Sequence, residues 1–156
     1  MKNTVKKIVT FGVFDMFHFG HLKLFENIKK EFGQDSFLIV CVQSTENIVK
    51  YKPNNQIFYS TEDRVKMIKN LKCVDEVKIY DDIDVDIKQV EFDVWVKGPD
   101  QCHQGFQDAM KWCDEHNKQY MTISRTEGIS STYIKNMVRD LRDKKLAKKV
   151  SEPCQK

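Results

Sequence analysis

Two periods of apolar residues alternate along the chain, and this alternation predicts strands interleaved with helices. Short apolar runs rich in β-branched and aromatic residues are separated by segments in which apolar residues recur at helical spacing. Strands are predicted at 8–11, 37–42, 74–80, 92–96 and 120–123, and helices at 22–30, 62–71, 84–90, 104–116 and 131 to about 146. Ser60 and Thr61 before Glu62 and Asp63 predict the start of the second helix.

The order of these elements predicts the fold class. Parallel strands need crossover connections, and helices of this length usually supply them. We therefore expect an α/β fold: a single Rossmann-like, doubly wound domain with a mainly parallel five-stranded sheet. Ligands of such sheets bind beyond the carboxyl ends of the strands.

Length and composition narrow the class of protein. With 156 residues, of which 40% are hydrophobic and 31% charged, we expect one globular domain over 1–150 and a disordered tail at 151–156. No apolar run approaches the roughly 20 residues of a membrane span, and no signal peptide is evident, so a cytoplasmic protein without membrane contact is expected. The net charge of +3 suits small anions and does not require nucleic acid. The basic stretch 139–149 is interpreted as a solvated helix face.

Five cysteines and four histidines leave a metal site open as an alternative. Zinc could in principle bind Cys102, His103, Cys113 and His116. These residues lack the usual zinc-knuckle spacing, and an odd number of cysteines argues against a disulfide framework. We therefore predict free thiols and no metal site.

The candidate chemistry begins where the first strand meets the first helix. His18 and His21 flank a phenylalanine and Gly20 at this junction, so both imidazoles lie at a helix N-terminus. Unpaired N–H groups and the helix dipole favour anions there, and imidazoles add further donors. Gly12 and Gly20 are expected to let the backbone approach a ligand closely, whereas Asp15 is expected to hold the turn by backbone hydrogen bonds.

A second junction of the same kind follows the last predicted strand. Arg125 offers a planar cationic fork to a phosphate, and Thr126, Ser130 and Ser131 offer hydroxyl groups. Either serine could equally cap the helix, which is compatible with holding a phosphate. The chain thus carries two helix starts that favour anions.

These two segments resemble a known family. TFGVFDMFHFGH at 10–21 and RTEGISST at 125–132 resemble the signature motifs of cytidylyltransferases, most closely those of the small bacterial glycerol-3-phosphate type. The resemblance implies transfer from CTP to a small phosphorylated alcohol, giving CDP-glycerol and pyrophosphate for surface-polymer or lipid assembly. Another acceptor (ribitol, choline or heptose phosphate), ATP in place of CTP, or a nucleotide-binding module without turnover stay open as alternatives.

The resemblance also implies roles for individual residues. His18, His21, Arg125, Lys50 and Lys52 would be catalytic, and Lys50 and Arg64 would bind the acceptor phosphate. The nucleotide would be bound by Thr10, Phe11, Gly12, Val13, Phe14, Gly20, Lys97, Gly98, Asp100, Arg125, Thr126, Ile129, Ser130 and Ser131, with Asp100 accepting from the cytosine amino group. Mg²⁺ would arrive with CTP, and the segment 74–77 would form a homodimer contact.

Overall fold

Strands and helices alternate along the chain in a computed structural model that describes residues 5–54 and 56–151. The strands are β1 (Lys7–Gly12), β2 (Phe37–Gln43), β3 (Glu76–Tyr80), β4 (Val94–Lys97) and β5 (Gln119–Thr122). The helices are α1 (Phe19–Phe32), α2 (Thr45–Tyr51), α3 (Thr61–Lys69), α4 (Ile83–Asp86, followed by a 3₁₀ turn at Ile87–Gln89), α5 (Gln104–Glu115) and α6 (Ser131–Ser151).

The five strands form one sheet in the order β3-β2-β1-β4-β5. All four strand pairs are parallel, which confirms the predicted parallel, five-stranded α/β fold. β1 lies in the middle: Thr10 pairs with Val40 of β2 on one side and with Val96 of β4 on the other. The chain order reverses direction at β1, so its carboxyl end is the switch point at which doubly wound sheets bind ligands.

The core lies on both faces of this sheet. On one face, Phe25 and Ile28 of α1 and Ile68 of α3 pack on alternate strand residues. On the other face, α4 and α5 pack on Phe11 and on Trp95 of β4. Successive strand side chains point to opposite faces, so the apolar runs are buried on both sides and hold the strand ends in register.

Some element boundaries differ from the predictions. β3 begins at Glu76 because Asp75 turns its carboxylate to Lys29 and to the Leu38 amide. The Ser60 cap is confirmed, since its Oγ accepts from the Asp63 amide at 3.1 Å. Ser151 is the last residue of α6, and the rest of the predicted tail lies outside the described residues.

The cysteines are free thiols in the part of the chain that the structure describes. Cys113 is buried in the core and Cys102 is exposed, so the two cysteines of the candidate zinc set lie in different environments. Within 5–54 and 56–151, no group of three or more His, Cys, Asp or Glu side chains could hold a metal ion. None of the described helices combines the length and hydropathy that crossing a membrane requires.

Candidate active site

The carboxyl ends of the five strands open into a cleft of about 420 Å³. The turn after β1, the ends of β2 and β3, the loop after β4 and the segment between β5 and α6 all contribute to its walls. Most of the residues predicted to form a site line this cleft: Thr10, Phe11, Gly12, Val13, Phe14, His18, Gly20, His21, Lys52, Gly98, Asp100, Arg125, Thr126, Ile129, Ser130 and Ser131. The two widely separated motifs therefore share one cavity.

The two histidines form a stacked pair at the start of α1. His18 is the N-cap residue, and its Nδ1 accepts a hydrogen bond from the Gly20 amide at 3.0 Å. His21 reciprocates, because its Nδ1 accepts from the His18 amide at 3.3 Å. The ring centroids are 3.8 Å apart. Since each Nδ1 accepts a hydrogen bond, the proton of each neutral ring is assigned to Nε2, which remains as a donor.

Both imidazoles are neutral at neutral pH. Burial, together with the nearby His18 and Arg125, lowers the pKa of His21 to about 3, against a smaller opposing effect of Asp15. Burial and the positive charge of Arg125 also lower the pKa of His18. The pair therefore offers N–H donors to an anion without carrying charge of its own in the free protein.

The depressed pKa of His21 predicts a loss of stability in acid. Between about pH 3 and pH 6.5 the unfolded chain binds a proton on His21 that the folded chain does not, so stability falls as the pH falls. From pH 7 to pH 5 this costs about 2 kcal/mol. His21→Gln keeps a capping-box side chain at this position but has no titrating group. We therefore expect its free energy of unfolding to fall between pH 7 and pH 5 by about 2 kcal/mol less than that of wild type. Urea unfolding at both pH values measures the difference, and equal losses in the two proteins would contradict it.

The glycines of the first motif make room for the site's own side chains. A Cβ on Gly20 would lie 2.9 Å from Cε1 of His18 and 3.1 Å from a methyl group of Ile129, and one on Gly12 would lie 2.7 Å from the Phe14 ring. Phe14 and Met16 adopt positive φ angles of 53° and 49°. Non-glycine residues adopt such angles at a cost, and they cluster at functional sites.

Asp15 holds three segments of the site together. Its buried carboxylate accepts from the amides of Phe58 and Tyr59, both at 3.0 Å, and from Nζ of Lys135 at 3.2 Å. Burial raises the pKa of Asp15, but these hydrogen bonds outweigh burial and the pKa is lowered. The Asp15 carbonyl also accepts from Ser131 Oγ at 2.8 Å. Asp15 thus fixes the start of α6 against the first motif.

The second motif presents a cation and hydroxyl groups to the same cavity. Arg125 forms an ion pair with Asp100, and both side chains are more than half exposed. Ser130 Oγ accepts from the Tyr133 amide at 3.0 Å, which is the capping role left open by the sequence. Gly128 has a φ of 78°, and this left-handed turn favours glycine. The helix start and the Arg125 guanidinium therefore face the histidine pair across the cleft.

The structure gives Arg64 a different role from the acceptor contact that the resemblance implies. The side chain is fully buried, and it contributes five hydrogen bonds of 2.7 to 3.4 Å. Its partners are the carbonyls of Tyr59, Val13 and Gln43 and the hydroxyls of Thr45 and Thr61. All five N–H groups of the guanidinium are used in this way, so none is left for a phosphate. Arg64 is a positioning residue that joins the first motif to the end of β2.

The three predicted lysines differ in position. Lys52 lines the cleft. Lys50 lies on α2 with its ammonium 5.0 Å from the centre of the Tyr51 ring, and it does not line the cleft. Lys97 is the last residue of β4, and its carbonyl accepts from the Ile123 amide at 3.0 Å, but it is not a cleft-lining residue either.

Other cleft residues were not predicted as site residues. Gln101 donates to the Phe11 carbonyl and accepts from the Gly98 amide at 3.0 Å, so it joins the ends of β1 and β4. Lys135 and His103 also line the cleft. Lys135 lies four residues, about one helical turn, after Ser131, and this spacing could have indicated it. The sequence indicates His103 only as a candidate zinc ligand beside Cys102, and its spacing carries no such signal for the cleft.

The fold and the cleft define an α/β protein with a cavity at the sheet switch point, lined by two histidines, an arginine and the start of α6. Residues 9–137 match the family model described as cytidylyltransferase-like. The chain belongs to this family, which confirms the predicted family resemblance.

Individual relatives agree with this assignment. The chain is 35% identical over 141 residues to a glycerol-3-phosphate cytidylyltransferase of Bacillus subtilis (strain 168), covering 88% of this chain and all of that protein. It is also 35% identical over 98 residues to an FAD synthase of Methanopyrus kandleri, covering 62% of this chain and 64% of that protein. A solved lipopolysaccharide core biosynthesis protein from Thermoplasma volcanium has the same fold, with a TM-score of 0.62 over 79% of this chain and 98% of that one at 19% identity.

Proposed function

We propose that this protein transfers a cytidylyl group from CTP to the phosphate of a small phosphorylated alcohol and releases pyrophosphate. Glycerol 3-phosphate is the proposed acceptor, because the B. subtilis relative that aligns over its whole length is a glycerol-3-phosphate cytidylyltransferase. The observation that carries the proposal is the shared cleft, in which the histidine pair faces Arg125 and the start of α6.

The chemistry of this reaction matches the groups in the cleft. A phosphate monoester has a second pKa near about 6, so its attacking oxygen is already ionised at neutral pH and needs no general base. Catalysis then consists of bringing two anions together and stabilising the charge that develops around the α-phosphorus. The Nε2–H groups of His18 and His21 are donors for the α-phosphate oxygens, and their neutral state leaves them free to take up charge in the transition state.

The second motif is suited to the leaving group. Pyrophosphate carries several negative charges, and the amides and hydroxyls at the start of α6 are the donors that phosphates prefer. Arg125 uses one guanidinium nitrogen on Asp100 in the free protein, so its other N–H groups can bind phosphate oxygens. A carboxylate oxygen of Asp100 can accept a hydrogen bond from the amino group of cytosine.

The metal ion belongs to the same proposal. Mg²⁺ prefers oxygen ligands and keeps most of its shell as water and phosphate, so we propose that it enters as the CTP complex. The two carboxylates in the cleft, Asp15 and Asp100, are held by other groups, which fits a metal ligated mainly by the triphosphate.

We also propose that the protein forms a homodimer. The support is that β3 is an edge strand of the sheet and that Ile79 on it is 59% exposed.

A nucleotide panel tests the proposal. We expect pyrophosphate release from CTP with Mg²⁺ and glycerol 3-phosphate, at a rate at least about tenfold above that with ATP, GTP or UTP, which corresponds to about 1.4 kcal/mol of discrimination. Ribitol, choline and heptose phosphates complete the acceptor panel. Faster turnover with ATP would favour the chemistry of the FAD synthase relative. Binding of CTP without pyrophosphate release in the presence of any of these acceptors would indicate a nucleotide-binding module and overturn the proposal.

A further inference from the structure

The cleft has a second side, formed by elements on the opposite face of the sheet from the histidine pair. His21 and Leu24 line the cleft from α1, which packs on one face of the sheet. Tyr80 and Phe106 line it as well, and both belong to the core of the other face. The cavity therefore crosses the carboxyl edge of the sheet, and its two sides are built by different helices.

His103 lies on this second side, at the start of α5. It occupies the N-cap position, but its side chain makes no capping hydrogen bond to the helix. His18, by contrast, uses its Nδ1 to cap α1. The His103 ring packs edge-on against Phe106, with ring centroids 4.5 Å apart, and it lines the cleft. His103 thus lies at the cavity wall, and neither of its ring nitrogens caps the helix.

Lys52 shares this side of the cleft with His103. Burial lowers the pKa of His103, and the positive charge of Lys52 lowers it further, against a smaller opposing effect of Asp84. Lys52 itself lines the cavity. An anion bound between the Lys52 ammonium and the His103 ring would offset this effect and favour the charged imidazole.

The direction of the proposed reaction favours the acceptor as that anion. Attacking and leaving oxygens lie roughly in line on opposite sides of the phosphorus in phosphoryl transfer. If pyrophosphate leaves toward Arg125 and the start of α6, the acceptor phosphate must approach from the other direction. The Lys52 and His103 side of the cleft is formed by the start of α5 and by the segment after α2.

We propose that His103, together with Lys52, binds the phosphate group of the acceptor and thereby selects a phosphomonoester as the second substrate. This inference rests on the proposed function and adds a residue to it. His103 is an acceptor-binding residue; it contacts neither the triphosphate nor the base. Binding of a dianionic phosphate would favour the protonated imidazole, so that both ring nitrogens become donors.

The kinetic test compares the two ends of α5. In His103→Asn we expect the KM for glycerol 3-phosphate to rise at least about tenfold, as for loss of a hydrogen bond to a charged group, with the KM for CTP within about twofold of wild type. His116→Asn is the matched control, because His116 ends the same helix on the surface and stacks on Trp112. An unchanged acceptor KM in His103→Asn, or an equal rise in both KM values, would overturn the inference.

A binding test separates this inference from the proposed function. The Cε1–Hε1 signals of the histidines are followed by NMR while glycerol 3-phosphate is added without nucleotide. We expect the His103 signal to move toward its protonated position and the His116 signal to stay. If the His103 signal shifts but the protein turns over no nucleotide, the phosphate site is supported and the proposed function fails. Turnover without any shift of the His103 signal would contradict this inference alone.

Discussion

Replacing His18 with alanine is expected to lower kcat for nucleotidyl transfer at least about 100-fold, the scale seen when one donor to a developing charge is removed. The expectation follows from the position of the ring, which stacks on His21 with centroids 3.8 Å apart, lines the cleft and uses only its Nδ1 to cap α1. Pyrophosphate release at saturating CTP and acceptor measures kcat. A drop in kcat with a nearly unchanged KM for CTP would show that the interaction is made mainly in the transition state.

The capping role of His18 requires a control. His18→Ala also removes the hydrogen bond from the Gly20 amide, and loss of a cap costs about 1 kcal/mol of stability. His18→Asn keeps a good capping side chain but lacks the Nε2–H donor. We expect His18→Asn to be nearly as slow as His18→Ala and to unfold at nearly the wild-type temperature. A rate in His18→Asn close to that of wild type would show that the ring is needed only as a cap.

The parallel sheet was predictable because its strands are buried on both faces. The first six residues of Phe37–Gln43 are all apolar, as is typical of a strand covered by helices on both sides. The helix of residues Gln104–Glu115 shows the helical period clearly, because its inner face packs on Trp95. Both patterns arise from burial, and burial is what apolar periodicity reports.

The helix Thr45–Tyr51 was missed because it is too short to show a period. It spans about two turns, and Ser44, which caps it at the Asn47 amide, directly follows the last residue of β2. A helix of this length draws its stability from tertiary contacts and its cap more than from propensity. Its existence matters for the site, because it sets where Lys50 and Lys52 can point.

The candidate site was predictable where a motif concentrates its residues and was missed where single side chains meet across the fold. Asp15 and Lys135 are 120 positions apart, and although the spacing of Lys135 from Ser131 points to the site, the sequence does not indicate that the two side chains pair. Charged residues are seldom fully buried, so the sequence favours an exposed Arg64 that is free to bind an acceptor. The structure instead shows Arg64 with every donor used inside the protein.

Replacing Arg64 with methionine is therefore expected to destabilise the fold strongly. Methionine fills a similar length of space but donates no hydrogen bonds, so the carbonyls of Val13 and Gln43 would lose their Arg64 hydrogen bonds. An unsatisfied buried group costs about 1–3 kcal/mol, and with several acceptors affected we expect the free energy of unfolding to fall by at least about 3 kcal/mol. For a chain of this size that lowers the Tm by about 6–12 °C.

Arg142→Met is the matched control for this variant, because Arg142 is exposed on α6. It should change the free energy of unfolding by less than about 0.5 kcal/mol, as is usual for surface positions. Urea unfolding of both variants gives the comparison, with similar m values showing that the unfolded states are alike. A stable Arg64→Met protein that has lost acceptor binding would contradict the positioning role and would return Arg64 to the substrate site. The expected outcome is a destabilised protein in which the folded fraction keeps the wild-type KM for the acceptor. That result would show that the guanidinium belongs to the framework that holds Val13 against the end of β2.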